Sequence, residues 1–509
     1  MKVFPRLTRF LNKHGYFTRQ QALNMARDFA AANVGRLTAS WTTQSQSPDS
    51  ETRMSLKTLV ARSRNLRNEN PHARKFIGMA KSNVLGECGI HFRSKVKDPD
   101  RVVNGELAPG KPDVFANKMI EDARYDWCRR GNCTTDGQLS MRGLEGVALE
   151  SGIVDGEAIF RIIRGFDNKH RFALETVASD RLDVDCNLVS TRGNQVRMGV
   201  EIDQWRRPVY YWLRKNDPND FYYVNTPADM WEQVPTRDII HLFVKKKPNQ
   251  TRGVPWMVTA MKSLNMLGGY SEAELVAARF EASRLDYFKQ TGDAEYVGDT
   301  DTDGNKLSNA EPGSREILPS GLERQSNDPV RPNSNYGEFV KSVLREVAAG
   351  LEFVSYNTLA NDMESVNFAS GKLGLDEERQ GWKVVQNWFI EEFHQRVFEA
   401  WLEMQLTTGL IPLPLTKFDK FNSAEWTGRR WDQVNPQQEM AAMTMRLKLR
   451  LTSISRELAK MGIDRDELFE EIEQDKLSAE SKDITPVDIF PPEEEPADEN
   501  GNPVAKAAA

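Results

Sequence analysis

The sequence holds little of what catalysis usually needs. Six histidines and four cysteines are spread through 509 residues. None of the histidines forms an obvious base beside a nucleophile. HExxH and GxSxG do not occur. Gly371-Lys372 invites comparison with a phosphate-binding loop. That motif needs Gly five residues before the second Gly and Ser or Thr after the Lys. Val366 and Leu373 stand there instead. The expectation is a protein that is not an enzyme and binds no cofactor.

Long apolar runs are missing as well. No stretch reaches the ~18 residues that mark a membrane-spanning helix. Charged residues interrupt the first twenty positions, so no secretory leader opens the chain. A reducing cytosol is therefore expected, with Cys88, Cys128, Cys133 and Cys186 as free thiols. Cys88-x2-His91 with Cys128-x4-Cys133 is a conceivable zinc set. Neither pair has the usual two-residue Cys spacing, and burial as small apolar side chains is the alternative.

What is present is globular. Hydrophobic residues make up 39% and charged residues 28%, which excludes a disordered or fibrous chain. The length suggests two to four structural units. Net charge is −6, which argues against a groove-binding protein as a whole-chain description. The charge is uneven. Residues 1–81 carry fifteen Lys/Arg against four Asp/Glu, whereas 291–335 carry nine acids against four bases. Glu493–Glu499 is acidic again. Such an arm suits a protein that meets phosphate or acidic partners at one surface, unless each run is merely a solvated face.

Periodicity predicts a helix over 18–34, a Ser/Thr/Gln-rich link over 38–52 and helical chain from Met54 to Val84. A strand is expected near 89–96, then helices over 115–130 and 139–150. Strand patterns follow at 157–164, Phe172–Thr176, Val196–Ile202, Val209–Leu213 and Ile239–Val244. Residues 85–247 thus read as a mixed α/β domain. From Trp256 to Lys289 no proline interrupts a helix-rich composition, although Gly268-Gly269 can bend or split it. Residues 291–335 are rich in Gly, Pro, Asn and Asp, with short strand candidates at Ala294–Val297 and Glu316–Leu318. A helix is predicted from Tyr336 to about Ala349. Phe353–Ser370 looks irregular and polar. A long helix follows from about Leu373 to Leu406, with Trp382, Val385, Phe389, Phe393, Val397, Trp401 and Met404 on one stripe, read as core packing. Residues 437–477 read as mainly helical, with breaks near Leu451–Ser453 and Gly462. Residues 480–509 read as disordered.

Asp299-Thr300-Asp301-Thr302-Asp303-Gly304 matches the start of a calcium loop. The twelfth position should be a bidentate acid, but it is Ala310, with Glu311 one residue late. Asp299, Asp301 and Asp303 are thus weak calcium candidates; the alternative is an acidic turn between strands. The helices at 256–289 and 336–349 would carry this acidic insertion on a stalk. A lone subunit leaves such a stalk poorly buried, so packing against further copies is expected.

Several local patterns, in this order, resemble the lambda-type portal family of tailed bacteriophages. They are Gln250-Thr251-Arg252-Gly253-Val254-Pro255-Trp256; Ala348-Ala349-Gly350-Leu351 followed by Val354-Ser355-Tyr356-Asn357-Thr358-Leu359; Val366-Asn367-Phe368-Ala369-Ser370-Gly371-Lys372-Leu373; and Trp426-Thr427-Gly428-Arg429-Arg430-Trp431-Asp432-Gln433-Val434-Asn435-Pro436 with Glu439. Phe-Ala-Ser stands where the family usually has Tyr-Ser-Ser, and Asn435 where it has an acid.

The resemblance implies an α+β portal fold in a ring oligomer. Its parts would be a basic N-terminal arm (1–50), an α/β wing (51–255), a first stem helix (256–290), a clip (291–335) and a second stem helix (336–352). A tunnel loop (353–372), a long helix with the wing return (373–434), a helical crown (435–478) and a disordered tail (479–509) would follow. It also implies a twelve-membered ring at one capsid vertex of the virion, assembled in the host cytoplasm. The ring would pass double-stranded DNA during packaging, retention and ejection. The implied partners are the large terminase, the head–tail connector, and the major capsid and scaffolding proteins, with no membrane. Asn357, Asn361 and Asn367 suit a polar, non-gripping tunnel loop. Lys341 and Arg345 are candidates for a sparse basic ring or for ion pairs between subunits. Asp299, Asp301 and Asp303 are docking candidates in the clip. A non-enzymatic cytosolic scaffold is the competing class; a solenoid would show a repeat of about 20–50 residues, and none is visible.

Overall fold

The computed structural model describes residues 36, 42, 45–99, 101–103, 106–108, 110–219, 230–282, 287–290, 302, 322–325, 335–364, 366–431, 436–460 and 465–481. The expected helix at 18–34, the strand candidates at Ala294–Val297 and Glu316–Leu318, and the break at Gly462 lie outside these residues, as do residues 482–509 of the tail.

The helical run expected over 54–84 is two helices, Pro48–Glu69 and Pro71–Val84. The first begins inside the segment read as a link. Ser47 caps it by accepting from Ser50 N, and Pro48 fits the first turn, where no N–H partner is needed. Asn70 divides the two. Its side chain accepts from His72 N and Ala73 N, both at 3.0 Å, while Pro71 starts the second helix. Two further helices, Val114–Trp127 and Met141–Val154, match their expected positions closely.

Besides three two-stranded pairings, the described strands form two larger antiparallel sheets. One has the order Ile239–Leu242, Ala158–Arg164, Phe172–Val177. The other is a meander of Leu188–Val189, Gln195–Arg197, Val200–Ile202, Pro208–Arg214 and Trp231–Pro235. The strand expected over Val196–Ile202 is a hairpin instead. Met198 and Gly199 both take positive φ (49° and 84°) and turn the chain, so Arg197 pairs with Val200. The α/β body, the part expected to be the wing, also draws on chain far along the sequence, because His91–Ser94 pairs with Ala424–Thr427.

The long helix starts earlier than its apolar stripe, at Phe368. It runs to Phe389, widens into a π turn at Ile390–Gln395, and continues as Arg396–Thr408. Trp382, Val385, Phe389, Phe393, Val397 and Trp401 are buried, and Met404 packs at the edge of the same core. Four-residue steps from 389 to 401 overshoot an ideal helix turn of 3.6 residues. The wider π turn takes up that excess and keeps the stripe facing inward.

The helix expected from Trp256 to Lys289, the first of the two that would form the stem, departs most from expectation. After a 3₁₀ turn at Trp256–Thr259, it spans Met261–Ala282 with Gly268-Gly269 inside it. It does not reach Lys289. Tyr287–Gln290 is a strand paired with Leu322–Gln325 in a two-stranded ribbon. Tyr287 and Phe288 favour strand over helix. The second stem helix is Tyr336–Gly350. Helices at Pro436–Lys448, Ile454–Lys460 and Arg465–Ser481 agree with the mainly helical reading of 437–477, and the last continues to 481, into the segment read as disordered.

Candidate functional site: the stem base and its loop

The stem enters through the Gln250–Trp256 motif, which is fastened to the wing interior. The Arg252 guanidinium is buried and donates Nε to both Glu157 oxygens, at 3.0 and 2.9 Å. Its Nη1 donates to the carbonyls of Leu182 and Met198, each at 2.8 Å. Glu157 also faces His241 Nε2 at 2.9 Å and accepts from Gly253 N at 3.2 Å. Burial alone would raise the Glu157 carboxyl. The Arg252 charge and its hydrogen bonds, with His241, hold it well below the usual carboxylate range. Gly253 passes against Gly156 so closely that a Cβ at 253 would stand 2.0 Å from the Gly156 carbonyl oxygen. Thr251 is held by Asp49, from its N–H at 2.9 Å and its hydroxyl at 3.0 Å.

The two stem helices meet through Tyr270, which stacks on Tyr336 at 5.8 Å and meets Phe339 edge-on at 5.0 Å. At the base, Asn70 Nδ2 donates to Leu264 O at 3.2 Å, and Thr259 Oγ1 donates to Gly350 O. Apolar side chains nevertheless stay exposed on these two helices. Met266 is 63% exposed, Leu275 65%, Val276 42% and Phe339 50%.

The loop read as irregular is partly ordered into a helix, Tyr356–Ala360. Ser355 caps it, and buried Glu378 of the long helix receives Ser355 N at 2.8 Å and Thr358 Oγ1 at 2.9 Å. The candidate asparagines fall into distinct roles. Asn361 takes the left-handed conformation that ends this helix (φ 56°), and Lys75 of the wing donates to its side chain. Asn367 is the N-cap of the long helix, accepting from Ser370 N at 2.8 Å. Asn357 is half-buried, and its carbonyl accepts from Asp362 N at 3.1 Å.

Lys341 and Arg345 lie one turn apart on the second stem helix, and both engage this loop within the same chain. Lys341 Nζ is 3.9 Å from Asp362 and 4.0 Å from Glu364. Arg345 sits over the Tyr356 ring at 5.2 Å. The Tyr356 hydroxyl donates to Asp362 Oδ2 at 2.6 Å. Burial and this bond push Tyr356 up to about 12, and the same bond lowers Asp362. No local motif marks Asp362, Glu378 or Lys75 in the sequence, and Tyr356 stands out there only as part of the Val354–Leu359 pattern.

Asp299, Asp301 and Asp303 lie outside the described residues. The zinc arrangement is not assembled: among the described residues no group of three or more His, Cys, Asp or Glu is placed to hold a metal. Cys88 is exposed, Cys133 and Cys186 are buried, and all four cysteines are free. Burial pushes Cys133 up to about 12, as expected for an inert small side chain.

A second buried polar cluster lies in the main core. Arg124 is enclosed by five rings, nearest Trp127 at 4.6 Å and Trp401 at 5.4 Å. Its Nε and Nη1 lack hydrogen-bond partners among the described residues, as do both ring nitrogens of His394 in the π turn. His394 Nε2 is 3.5 Å from Glu145 Oε1. Burial pushes the Glu145 carboxyl up to about 8, against the opposing hydrogen bond from Ile90 N and the Arg124 charge.

This α+β body with a helical stalk and a polar loop at its base has known counterparts. The chain belongs to the lambda family of phage portal proteins: the family described as "Phage portal protein, lambda family" matches residues 34–386. That family is structural and not enzymatic. The chain is 32% identical over 461 residues to the "Probable portal protein" of Halomonas phage phiHAP-1, covering 89% of this chain and 86% of that one. It is 20% identical over 496 residues to "Portal protein B" of Escherichia phage lambda, covering 88% of each. Among solved structures, "Neck of native GTA particle computed with C12 symmetry" matches 84% of this chain and 97% of that chain, at 12% identity and a TM-score of 0.43. No helix among the described residues is long and apolar enough to cross a membrane.

Proposed function

We propose that the chain is one subunit of a ring, twelve-fold in the assembled virion, set at one capsid vertex and put together in the host cytoplasm. Double-stranded DNA passes through the ring. The large terminase docks during packaging and the head–tail connector afterwards, with the major capsid and scaffolding proteins as further neighbours. The observation that carries this reading is the set of exposed apolar side chains on the two helices, Met266, Leu275, Val276 and Phe339. Each such side chain gains roughly 1.5–3 kcal/mol on burial, and identical neighbours in a closed ring would bury them all.

The chain acts as a passive conduit and does not hydrolyse ATP. DNA carries one charge per roughly 1.7 Å, so a strongly basic lumen would grip it. A translocation channel needs weak contacts that hold no register. The loop at 353–372 supplies asparagines, and the nearby cations Lys341 and Arg345 face loop partners that moderate their charge. The acidic clip, with Asp299, Asp301 and Asp303, is the docking surface for motor and connector. Deleting 293–328 should leave a ring that docks neither.

The loop's role is tested by packaging in vitro. Simultaneous alanine substitution would confound the result, because Asn361 and Asn367 end and start helices. Asn357→Ala with Asn361→Gly and Asn367→Ser preserves both helix ends. The expected result is normal rings with impaired DNA packaging or retention. Normal packaging would remove the loop from the mechanism.

A further inference from the structure

The second stem helix does not run smoothly into the loop. Glu352 and Phe353 both sit at positive φ, 55° and 54°. Neither is glycine, and side chains in this left-handed region crowd the neighbouring carbonyl. A corner of two such residues persists only where its surroundings hold it. Lys246 Nζ holds Glu352 at 2.9 Å. Phe353 packs on Trp382, with ring centroids 6.0 Å apart, and lies over Gly381, where a Cβ would stand 2.2 Å from the Phe353 ring. Beyond the corner comes a helix of five residues, too short to persist alone in water. Its position depends on the groups that grip it.

We propose that Tyr356, Asp362 and Lys341 form a latch that docks residues 356–364 on the second stem helix, with Glu352–Phe353 as the hinge. Tyr356 and Asp362 close the segment on itself through the 2.6 Å hydrogen bond. Lys341 faces the same Asp362 oxygen at 3.9 Å, and Arg345 covers the Tyr356 ring. Tyr356 is thus a positioning residue, since it acts through Asp362 and the stem cations. The latch lies near solvent, so salt weakens its charged part. Tyr356 is raised and Asp362 lowered, so neither changes charge near neutrality. A phosphate brought near Lys341 would compete directly with Asp362. That link to passing DNA rests on the conduit reading; the latch itself does not.

Hydrogen exchange on the purified full-length protein, without DNA, tests the latch apart from the conduit. The reporting amides are Leu359, which donates to Ser355 O at 3.0 Å, and Asp362, which donates to Asn357 O at 3.1 Å. Tyr356→Phe keeps the ring under Arg345 and removes only the hydroxyl. Both amides should exchange at least fivefold faster, with those of Val347 and Val385 unchanged. A smaller acceleration, or one shared by the two helices, overturns the latch. The unaltered chain supplies a second reading: moving from 0.1 to 1 M KCl should accelerate the same two amides, and no acceleration overturns the ionic part. Measured against Lys246→Gln, which removes the ion pair alone, Glu352→Gly should slow them, because glycine relieves the corner; equal or faster exchange would show that the corner is not strained.

Discussion

Arg252 and Glu157 meet inside the wing with the arginine Nε shared between both carboxylate oxygens, at 3.0 and 2.9 Å. The pair joins the residue that opens the stem to the strand-bearing body, more than ninety positions earlier in the chain. Replacing Arg252 by Met leaves the buried Glu157 carboxylate without its arginine, with only His241 and Gly253 N beside it. The expected loss is about 3–5 kcal/mol in urea unfolding. Arg252→Lys should recover little of it, because a point charge cannot reproduce the fork that also serves Leu182 and Met198. A loss below ~1 kcal/mol for Arg252→Met would show that the pair does not hold the stem entry.

Two glycines offer opposite outcomes. Gly253→Ala places a Cβ 2.0 Å from a backbone oxygen, which no side-chain rotation relieves, so soluble folded protein should largely be lost. Gly78 lies within a helix with nothing within 4 Å of its added Cβ. Gly78→Ala should stabilise the protein by about 0.5–1 kcal/mol. Thermal melts compare the two directly.

Glu145 makes stability depend on pH. Its folded value of about 8 lies above its ordinary value of 4.5. Between those pH values the folded state holds a proton that the unfolded chain has released. Stability should therefore fall as pH rises from about 4.5 to 8, by an amount on the order of 4 kcal/mol. Glu145→Gln should flatten the profile and raise stability at pH 8. An unchanged slope in that variant would place the dependence elsewhere.

The Asn367 side chain accepts from Ser370 N at the start of the long helix. Asn367→Ala should cost about 1 kcal/mol, and Asn367→Ser close to nothing. Equal losses would mean that the cap contributes little.

Legibility varied along the chain for physical reasons. The stripe from Trp382 to Trp401 was plain because burial selects large apolar residues at helical spacing, although the π turn that keeps it aligned left no mark on composition. The break at Asn70-Pro71 was readable in retrospect, as an N-cap followed by proline. Helical composition does not reveal the strand at Tyr287–Gln290, because its partner, Leu322–Gln325, is distant in sequence. The site was hardest. Asn361 and Asn367 were noticed as polar residues, yet their positions also meet backbone needs at helix ends. Tyr356, Asp362 and Lys341 come together only when the chain folds back between stem and loop. Arg252 was noticed within its motif, but its partner Glu157 was seen only as part of a strand.

On the proposed function, identical copies around a channel bury the exposed apolar side chains of the stem. Electron microscopy of the purified chain, beside a Leu275→Glu/Val276→Glu variant, tests it most directly. The account predicts closed rings with a central hole for the unaltered chain, and folded single subunits for the variant. Single subunits of the unaltered chain at high concentration, or rings that survive both charges, would contradict it.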